Sequence, residues 1–277
     1  MSTETTPGIA DLLYLMARLR KPDTGCPWDI KQDFQSIVAH TLEETYEVVD
    51  AIERSDFAHL REELGDVLFQ VVFYSQMAAE QGLFDFDEVM AGLIAKLLKR
   101  HPHVFPDGTL HSERDAGPAP EQADIRNAWE QLKAKDRLDK GASGRLADIP
   151  LALPALARSE KLQKRAANHG FDWPNAQPVF AKINEELVEL CEAIDANDQQ
   201  HVEEELGDLM FACINLGRHK KINLETCLRK ANQKFERRFR GMETIAEKAG
   251  LDFEALSLDE KNNLWRQVKH LENTPSS

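Results

Sequence analysis

Residues 42–53 read LEETYEVVDAIE, and residues 184–195 read NEELVELCEAID. A second pair of similar segments follows, HLREELGDVLF at 59–69 and HVEEELGDLMF at 201–211. Both pairs are separated by the same 142 positions, so the two blocks align without a gap. A repeat of so long a period is typical of a duplicated domain, because solenoid units are only about 20 to 50 residues long. The chain is therefore predicted to contain two copies of one domain.

The spacing of the apolar residues predicts helices in both copies. Apolar side chains recur every three or four positions, as in Leu64, Leu68 and Val71, and the alternation typical of strands is scarce. Helices joined by short connections pack antiparallel, as in a four-helix bundle. We therefore predict an all-α fold of two tandem helical domains with four-helix-bundle-like packing. The predicted helices span 9–20, 32–54, 57–81, 86–101, 121–138, 152–168, 177–196, 199–219, 223–248 and 258–271.

A linker is predicted between the two copies. The segment Gly-Ala-Ser-Gly at 141–144 follows the charged residues 133–140, and this composition is typical of a hinge. We therefore predict an N-terminal domain over 1–140 and a C-terminal domain over 145–277. A stretch rich in proline and glycine at 102–120 predicts a loop within the first domain.

Charge and composition exclude several classes of function. The formal net charge of −14 opposes nucleic-acid binding, which needs Lys and Arg to displace phosphate counterions. A phosphorylated ligand would need a divalent cation to bind so acidic a protein. The four cysteines show no zinc-binding spacing and are expected to be reduced. Neither a signal peptide nor an apolar run of about 20 residues is visible, so we expect a cytoplasmic protein that spans no membrane.

Each copy carries two pairs of carboxylates at helical spacing. Residues three apart share a face of a helix, so Glu186 points with Glu189, and Glu205 points with Asp208. The short polar connection between the two helices must fold them back on each other, which brings the pairs together. The first copy offers the same geometry at Glu44, Glu47, Glu63 and Asp66.

These carboxylates are predicted to bind a metal. Acidic helical residues usually form a solvated surface. Here, however, apolar residues crowd the same turns, and buried charges are paired or coordinate metals. Ligands that are all oxygen select Mg²⁺, with Mn²⁺ as the substitute. A di-iron carboxylate bundle is the alternative, although it would use Glu-x-x-His, which the chain lacks.

Basic residues on the next predicted helix suit phosphate chemistry. Lys230, Lys234, Arg237, Arg238 and Arg240 follow the second set of carboxylates. Carboxylates, a hard cation and Lys/Arg together stabilise the negative charge that develops in phosphoryl transfer. Neither a GxxxxGK[ST] loop nor a GxGxxG after a strand is present, so two common phosphate-binding folds are excluded.

The layout E-E-x-x-E followed by E-x-x-D resembles the MazG-type all-α nucleoside triphosphate pyrophosphohydrolases. In the first half, the resemblance lies in GCPWD at 25–29, LEETYEV at 42–48, REELGDVLFQVVFY at 61–74 and KRHPHVF at 99–105. In the second half, it lies in KLQKRAANHGFDW at 161–173, EELVEL at 185–190, EEELGDL at 203–209 and KFERRF at 234–239. The resemblance thus covers nearly the whole chain.

This resemblance implies Mg²⁺-dependent hydrolysis of nucleoside triphosphates to a monophosphate and pyrophosphate, with water attacking the α-phosphorus. It places catalysis in the second domain. The implied metal ligands are Glu186, Glu189, Glu205 and Asp208, and Glu185 joins them as a catalytic residue. The residues implied to contact the nucleotide are Lys182, Glu185, Glu186, His201, Glu204, Asp208, Lys234, Arg237, Arg238 and Trp265, the last against the base or sugar.

The resemblance also implies a homodimer in which helices of one subunit complete the site of the other. The role of the first domain stays open, since it could hydrolyse nucleotides, bind a regulatory nucleotide or preserve a fold built around a cation. A helical module that senses nucleotides without turnover is the alternative class of function.

Overall fold

The computed structural model describes residues 6–115, 117–118, 120–139 and 144–273. Helices dominate, and the described ranges contain no β-strand, which confirms the predicted all-α class. None of the helices in these ranges is both long enough and apolar enough to cross a membrane.

The chain divides into two compact units, residues 1–133 and 134–277. Most of the predicted linker, residues 141–143, lies outside the described residues, so the domain boundary stays a prediction. The first unit contains α1 (Ile9–Leu19), α2 (Pro27–Ile30), α3 (Val38–Glu53), α4 (Phe57–Glu80) and α5 (Phe86–Arg100), and α6 (Gln122–Asp139) extends past its end. The second unit contains α7 (Ala155–Ala167), α8 (Gln177–Asp195), α9 (Gln199–His219), α10 (Leu224–Lys248) and α11 (Leu258–Asn273).

A helical hairpin lies at the centre of each unit. In the first unit α3 packs along α4, and α1 and α5 also pack against α4. The core there includes Met16, Ile37, Phe73 and Met77, each at most 1% exposed. In the second unit α8 packs along α9, with α7 against α9, while α10 packs along α11. The repeated sequence blocks therefore form the repeated hairpins.

The two hairpins turn in the same way. Ser55 and Asn197, which the repeat aligns, both have positive φ values, of 59° and 55°. The next residue in each case, Asp56 or Asp198, accepts a hydrogen bond through its Oδ1 from the backbone N–H three residues on. Such caps satisfy a donor that the start of a helix leaves unpaired. The sequence thus specifies a tight turn that returns the second helix along the first.

Two of the predicted helices are wrong at their start. The predicted helix 32–54 begins only at Val38, because Asp33 Oδ1 accepts hydrogen bonds from the N–H groups of Gln35 and Ser36 in place of helical bonding. The predicted helix 152–168 begins after Pro154, which occupies the N-cap position. All the other predicted bounds agree with the structure to within two residues.

Candidate active site

Three carboxylates of the second unit converge between α8 and α9. Glu186 comes from α8, and Glu205 and Asp208 come from neighbouring turns of α9. One oxygen of each lies within 4.8 Å of the others. Glu186 and Glu205 are buried, at 3% and 8% exposure, whereas Asp208 is exposed. The helical spacing and the tight turn therefore bring together three of the four predicted metal ligands.

Lys182 pairs with this cluster from the preceding turn of α8. Its Nζ lies 2.6 Å from Glu186 Oε1 and 2.7 Å from Glu185 Oε1. The hydrogen bond from this ammonium holds the pKa of the buried Glu186 carboxyl below its usual value. The two carboxylates in turn raise the pKa of Lys182. Glu186 is therefore ionised at neutral pH in spite of its burial.

Glu189, the fourth predicted metal ligand, lies on the next turn of α8. Hydrogen bonding with Glu205 and Glu189 adds to the effect of Lys182 in lowering the pKa of the Glu186 carboxyl. Burial, together with the charges of Glu205 and Glu186, raises the pKa of the Glu189 carboxyl. His201 Nε2 lies 2.8 Å from Glu205 Oε1. The site is thus a group of mutually repelling carboxylates, which a cation would stabilise.

A cavity of about 670 Å³ lies beside the cluster, and Lys182, Glu186 and Asp208 line part of it. This volume suits a ligand of nucleotide size. Most of the other lining side chains are apolar, among them Leu162, Ala166, Phe171, Trp173 and Phe211. The carboxylates therefore border a space with one acidic and one largely apolar part.

An ion pair also lines the cavity. Arg218 Nη1 donates a hydrogen bond to Asp172 Oδ2 at 2.9 Å, and Arg218 Nη2 donates to Asp172 Oδ1. Burial favours the neutral form of Asp172, but the Arg218 guanidinium holds the pKa of this carboxyl below its usual value. Asp172 therefore keeps Arg218 in place at neutral pH.

The first unit repeats the carboxylate cluster. Oxygens of Glu44, Glu63 and Asp66 lie within 4.8 Å of one another. Burial raises the pKa of both Glu44 and Glu63, and a hydrogen bond between Glu63 and Glu47 raises that of Glu63 further. Three of the four carboxylates of the second candidate metal site thus lie together, and their role as metal ligands stays a prediction.

The two clusters differ in their basic partner. His40 stands 142 positions before Lys182, and its Nδ1 lies 3.6 Å from Glu43. The lysine ammonium lowers the pKa of Glu186, whereas neighbouring carboxylates help burial to raise that of the corresponding Glu44. A close lysine therefore distinguishes the second cluster, whereas the first cluster has only the histidine His59, 3.1 Å from Glu63, as a close basic partner among the described residues.

The predicted phosphate contacts on α10 have other partners in the structure. Arg237 Nε and Arg238 Nε both donate to the carboxylate of Glu272, at 2.9 and 2.7 Å. The guanidinium of Arg238 also lies 5.7 Å from the ring centre of Trp265, which packs on Phe235. Lys234 and Glu204 are exposed. Lys182, Glu185 and His201 are thus placed at the cluster, while the α10 arginines and Trp265 form a group of their own with α11.

Two residues lining the cavity, Gln163 and Asn215, were missed by the sequence analysis. Both are uncharged amides outside the acidic motifs. A signal existed in the repeat, because Asn215 stands 142 positions after Phe73, an apolar core residue of the first unit. Such a change from apolar to polar between two copies marks a place where their surroundings differ.

The fold and the site define an all-α protein with a duplicated helical hairpin, whose second copy gathers buried carboxylates beside a lysine and a cavity of nucleotide size. The family model of the MazG nucleotide pyrophosphohydrolase domain matches residues 32–105 and 176–241, one match in each unit. The chain belongs to this family, and the predicted tandem arrangement is confirmed.

Named relatives agree with this assignment, two of them over nearly their full length. The chain is 50% identical over 263 residues to the nucleoside triphosphate pyrophosphohydrolase of Escherichia coli, covering 94% of this chain and 97% of the relative. It is 39% identical over 259 residues to the nucleoside triphosphate pyrophosphohydrolase/pyrophosphatase MazG of Thermotoga maritima, covering 94% of each. A nucleoside triphosphate pyrophosphohydrolase of Mycobacterium tuberculosis is 35% identical over 137 residues, or 49% of this chain and 38% of the relative. The chain is therefore an enzyme of the nucleotide pyrophosphohydrolase class.

Proposed function

We propose that the second unit hydrolyses nucleoside triphosphates to a monophosphate and pyrophosphate. The observation that carries the proposal is the convergence of Glu186, Glu205 and Asp208 within 4.8 Å beside a cavity of nucleotide size. The E. coli and T. maritima relatives, which align over nearly their whole length, are named for this activity, and this supports the same substrate class.

The carboxylates fit a hard divalent cation, and we propose Mg²⁺, with Mn²⁺ as a substitute. The donors are all oxygens, which suits these ions. Two of them are buried although like charges surround them, an arrangement that costs free energy without a cation. Glu186, Glu189, Glu205 and Asp208 would hold the ion. When bound, it would supply polarisation of the phosphate and activation of water.

The side chains around the cluster would position the substrate. Lys182 pairs with Glu185 and Glu186 and is 40% exposed, so its ammonium is able to turn towards a phosphate. We assign the hydrolysis to attack of water on the α-phosphorus. The bond from this phosphorus to the bridging oxygen breaks, and pyrophosphate leaves. His201 and Glu204 are proposed to contact the nucleotide from α9.

We further propose a homodimer in which the basic side chains of α10 complete a site. Large apolar residues are exposed along both hairpins, and such patches mark protein–protein interfaces. They include Leu42, Tyr46, Leu64 and Leu68 in the first unit, and Leu187, Val188, Leu206 and Met210 in the second. Lys234, Arg237, Arg238 and Trp265 would then reach the nucleotide across the interface. Sedimentation at micromolar concentration should give twice the chain mass of 31.4 kDa, and a monomer would contradict the proposed homodimer.

Product analysis in isotopically labelled water tests the reaction. Iron-free protein with Mg²⁺ should release pyrophosphate from at least one nucleoside triphosphate in H₂¹⁸O, and the label should appear in the monophosphate. Release of orthophosphate without pyrophosphate, or label in pyrophosphate, would contradict the proposal. Tight binding without any turnover would indicate a nucleotide sensor instead.

A further inference from the structure

The α1–α4 contact of the first unit and the α7–α9 contact of the second unit differ in their packing. In the first unit α1 packs on α4, and Met16, Phe73 and Met77 fill the contact as part of the core. In the second unit α7 packs on α9 in the same chain order, but a cavity of about 670 Å³ lies there. Asn215, which the repeat aligns with Phe73, lines this cavity. At this aligned position the second unit therefore has a polar side chain on a cavity, where the first unit has a core phenylalanine.

Gln163, which lines the cavity, has a buried amide oxygen without a hydrogen-bond partner. Gln163 of α7 is 7% exposed, and its Nε2 donates to the backbone oxygen of Phe211 at 2.8 Å. This bond fixes the side-chain amide, and the Oε1 that remains is buried without a hydrogen-bond partner. Leaving such a group unpaired is unfavourable. A ligand with an N–H donor would satisfy it.

Asn215 offers the opposite group to a ligand. Its Oδ1 accepts a hydrogen bond from Arg218 Nη2 at 2.8 Å, and Arg218 is itself held by Asp172. This bond fixes the orientation of the amide, and the NH₂ group of Asn215 remains as a donor for a ligand. Gln163 and Asn215 together therefore present one acceptor and one donor among apolar and aromatic side chains.

We propose that this cavity binds the base of the nucleotide and that Gln163 and Asn215 determine which base is accepted. The inference rests on the proposed function, because the same cavity reaches the carboxylates through Lys182, Glu186 and Asp208. The base edge must carry an N–H group for Gln163 and a carbonyl oxygen or ring nitrogen for Asn215. A base with the wrong arrangement leaves a buried polar group unpaired, which is an effective means of rejection.

The test is the ranking of kcat/KM for ATP, GTP, CTP, UTP and dTTP in Gln163→Met. Methionine has nearly the size of glutamine and removes both amide atoms, so the ratio between the best and worst substrate should fall by about 10-fold or more. Gln70→Met is the matched control. Gln70 is also 7% exposed with a buried, unpaired Oε1, but it lies on α4 of the first unit. The control should keep the wild-type ranking.

A second variant tests the cavity itself. Asn215→Phe introduces the residue found at the aligned position of the first unit, so it should fill the cavity and lower kcat/KM for every nucleotide by about 100-fold or more. Mn²⁺ binding, measured by electron paramagnetic resonance, should remain, and circular dichroism should show a folded chain. Should Asn215→Phe be unfolded, Asn215→Leu serves in its place, with the loss of base ranking as its readout.

The outcomes separate this inference from the proposed function. Pyrophosphate release by the wild type, with an unchanged base ranking in both Gln163→Met and Asn215→Leu, would overturn the inference alone. So would a ranking that changes only in Trp265→Ala, because the base would then bind at α11. If the wild type releases no pyrophosphate, the proposed function fails. The same ranking measured as binding of non-hydrolysable triphosphates then decides the inference independently.

Discussion

Replacing Lys182 with methionine is expected to destabilise the metal-free second unit. The change removes an ammonium that lies 2.6 Å from Glu186 Oε1 and leaves a carboxylate of 3% exposure among other carboxylates. Breaking a buried ion pair costs about 3 to 5 kcal/mol. Since Lys182 is 40% exposed, solvent screens part of the interaction, and we expect a loss of about 2 kcal/mol. For a unit of this size, that corresponds to a melting temperature lower by about 6 °C.

Thermal unfolding followed by circular dichroism, with and without Mg²⁺ or Mn²⁺, measures this effect. A divalent cation replaces the missing positive charge, so metal should raise the melting temperature more in Lys182→Met than in the wild type. His40→Met is the matched control at the aligned position. His40 lies 3.6 Å from Glu43 with both side chains exposed, so its removal should cost less than about 1 kcal/mol.

Three results would refute this reasoning. The first is an unchanged melting temperature for metal-free Lys182→Met. The second is an equal loss in His40→Met, which would mean that burial of the paired carboxylate does not matter. The third is a metal-induced shift no larger than that of the wild type, which would mean that the cation and the lysine do not act on the same carboxylate.

Two further predictions concern ion pairs outside the two carboxylate clusters. Asp172→Asn should lower the free energy of unfolding by about 2 kcal/mol at pH 7, because it removes a charged hydrogen-bond partner of Arg218. The pKa of folded Asp172 is lowered, so this stabilisation is complete above the unfolded value of about 3.9 and disappears as pH falls through the folded value. In urea unfolding, the difference in unfolding free energy between the wild type and Asp172→Asn should be smaller at pH 3 than at pH 7. An equal difference at both pH values would contradict this prediction. Arg20→Met should cost about 3 kcal/mol, since the guanidinium is 8% exposed and bonds both Glu80 and backbone oxygens. A loss of unfolding free energy below about 1 kcal/mol, measured by urea unfolding, would contradict this stabilising role of Arg20.

The hairpins could be predicted because local sequence specifies them. Apolar spacing identifies α9 at its observed bounds, and the cap at Asp198 and the positive φ of Asn197 explain why the turn before it is tight. Once helices and turn are given, helical spacing alone brings Glu186 to Glu205 and Asp208. The predicted start of α3 is wrong because hydrogen bonds to the Asp33 side chain compete with helical hydrogen bonds, and apolar spacing does not reveal them.

The remainder of the site depends on contacts between distant segments. Arg237 and Arg238 pair with Glu272, more than 30 positions away, and nothing in their own helix indicates this partner. The cavity is likewise invisible in either copy alone. Asn215 lines it at the position where the first unit has the core residue Phe73. Only a comparison of the two copies carries that information.

The most direct test of the central claim compares Glu189→Gln with Glu47→Gln, the aligned carboxylates of the two clusters. If the second cluster holds the catalytic cation, loss of a ligand from it should remove about 3 kcal/mol of transition-state stabilisation. The rate of pyrophosphate release in Glu189→Gln should then fall by about 100-fold or more. Glu47→Gln should keep at least half of the wild-type rate. A large loss in Glu47→Gln, with activity retained in Glu189→Gln, would contradict the assignment of catalysis to the second unit.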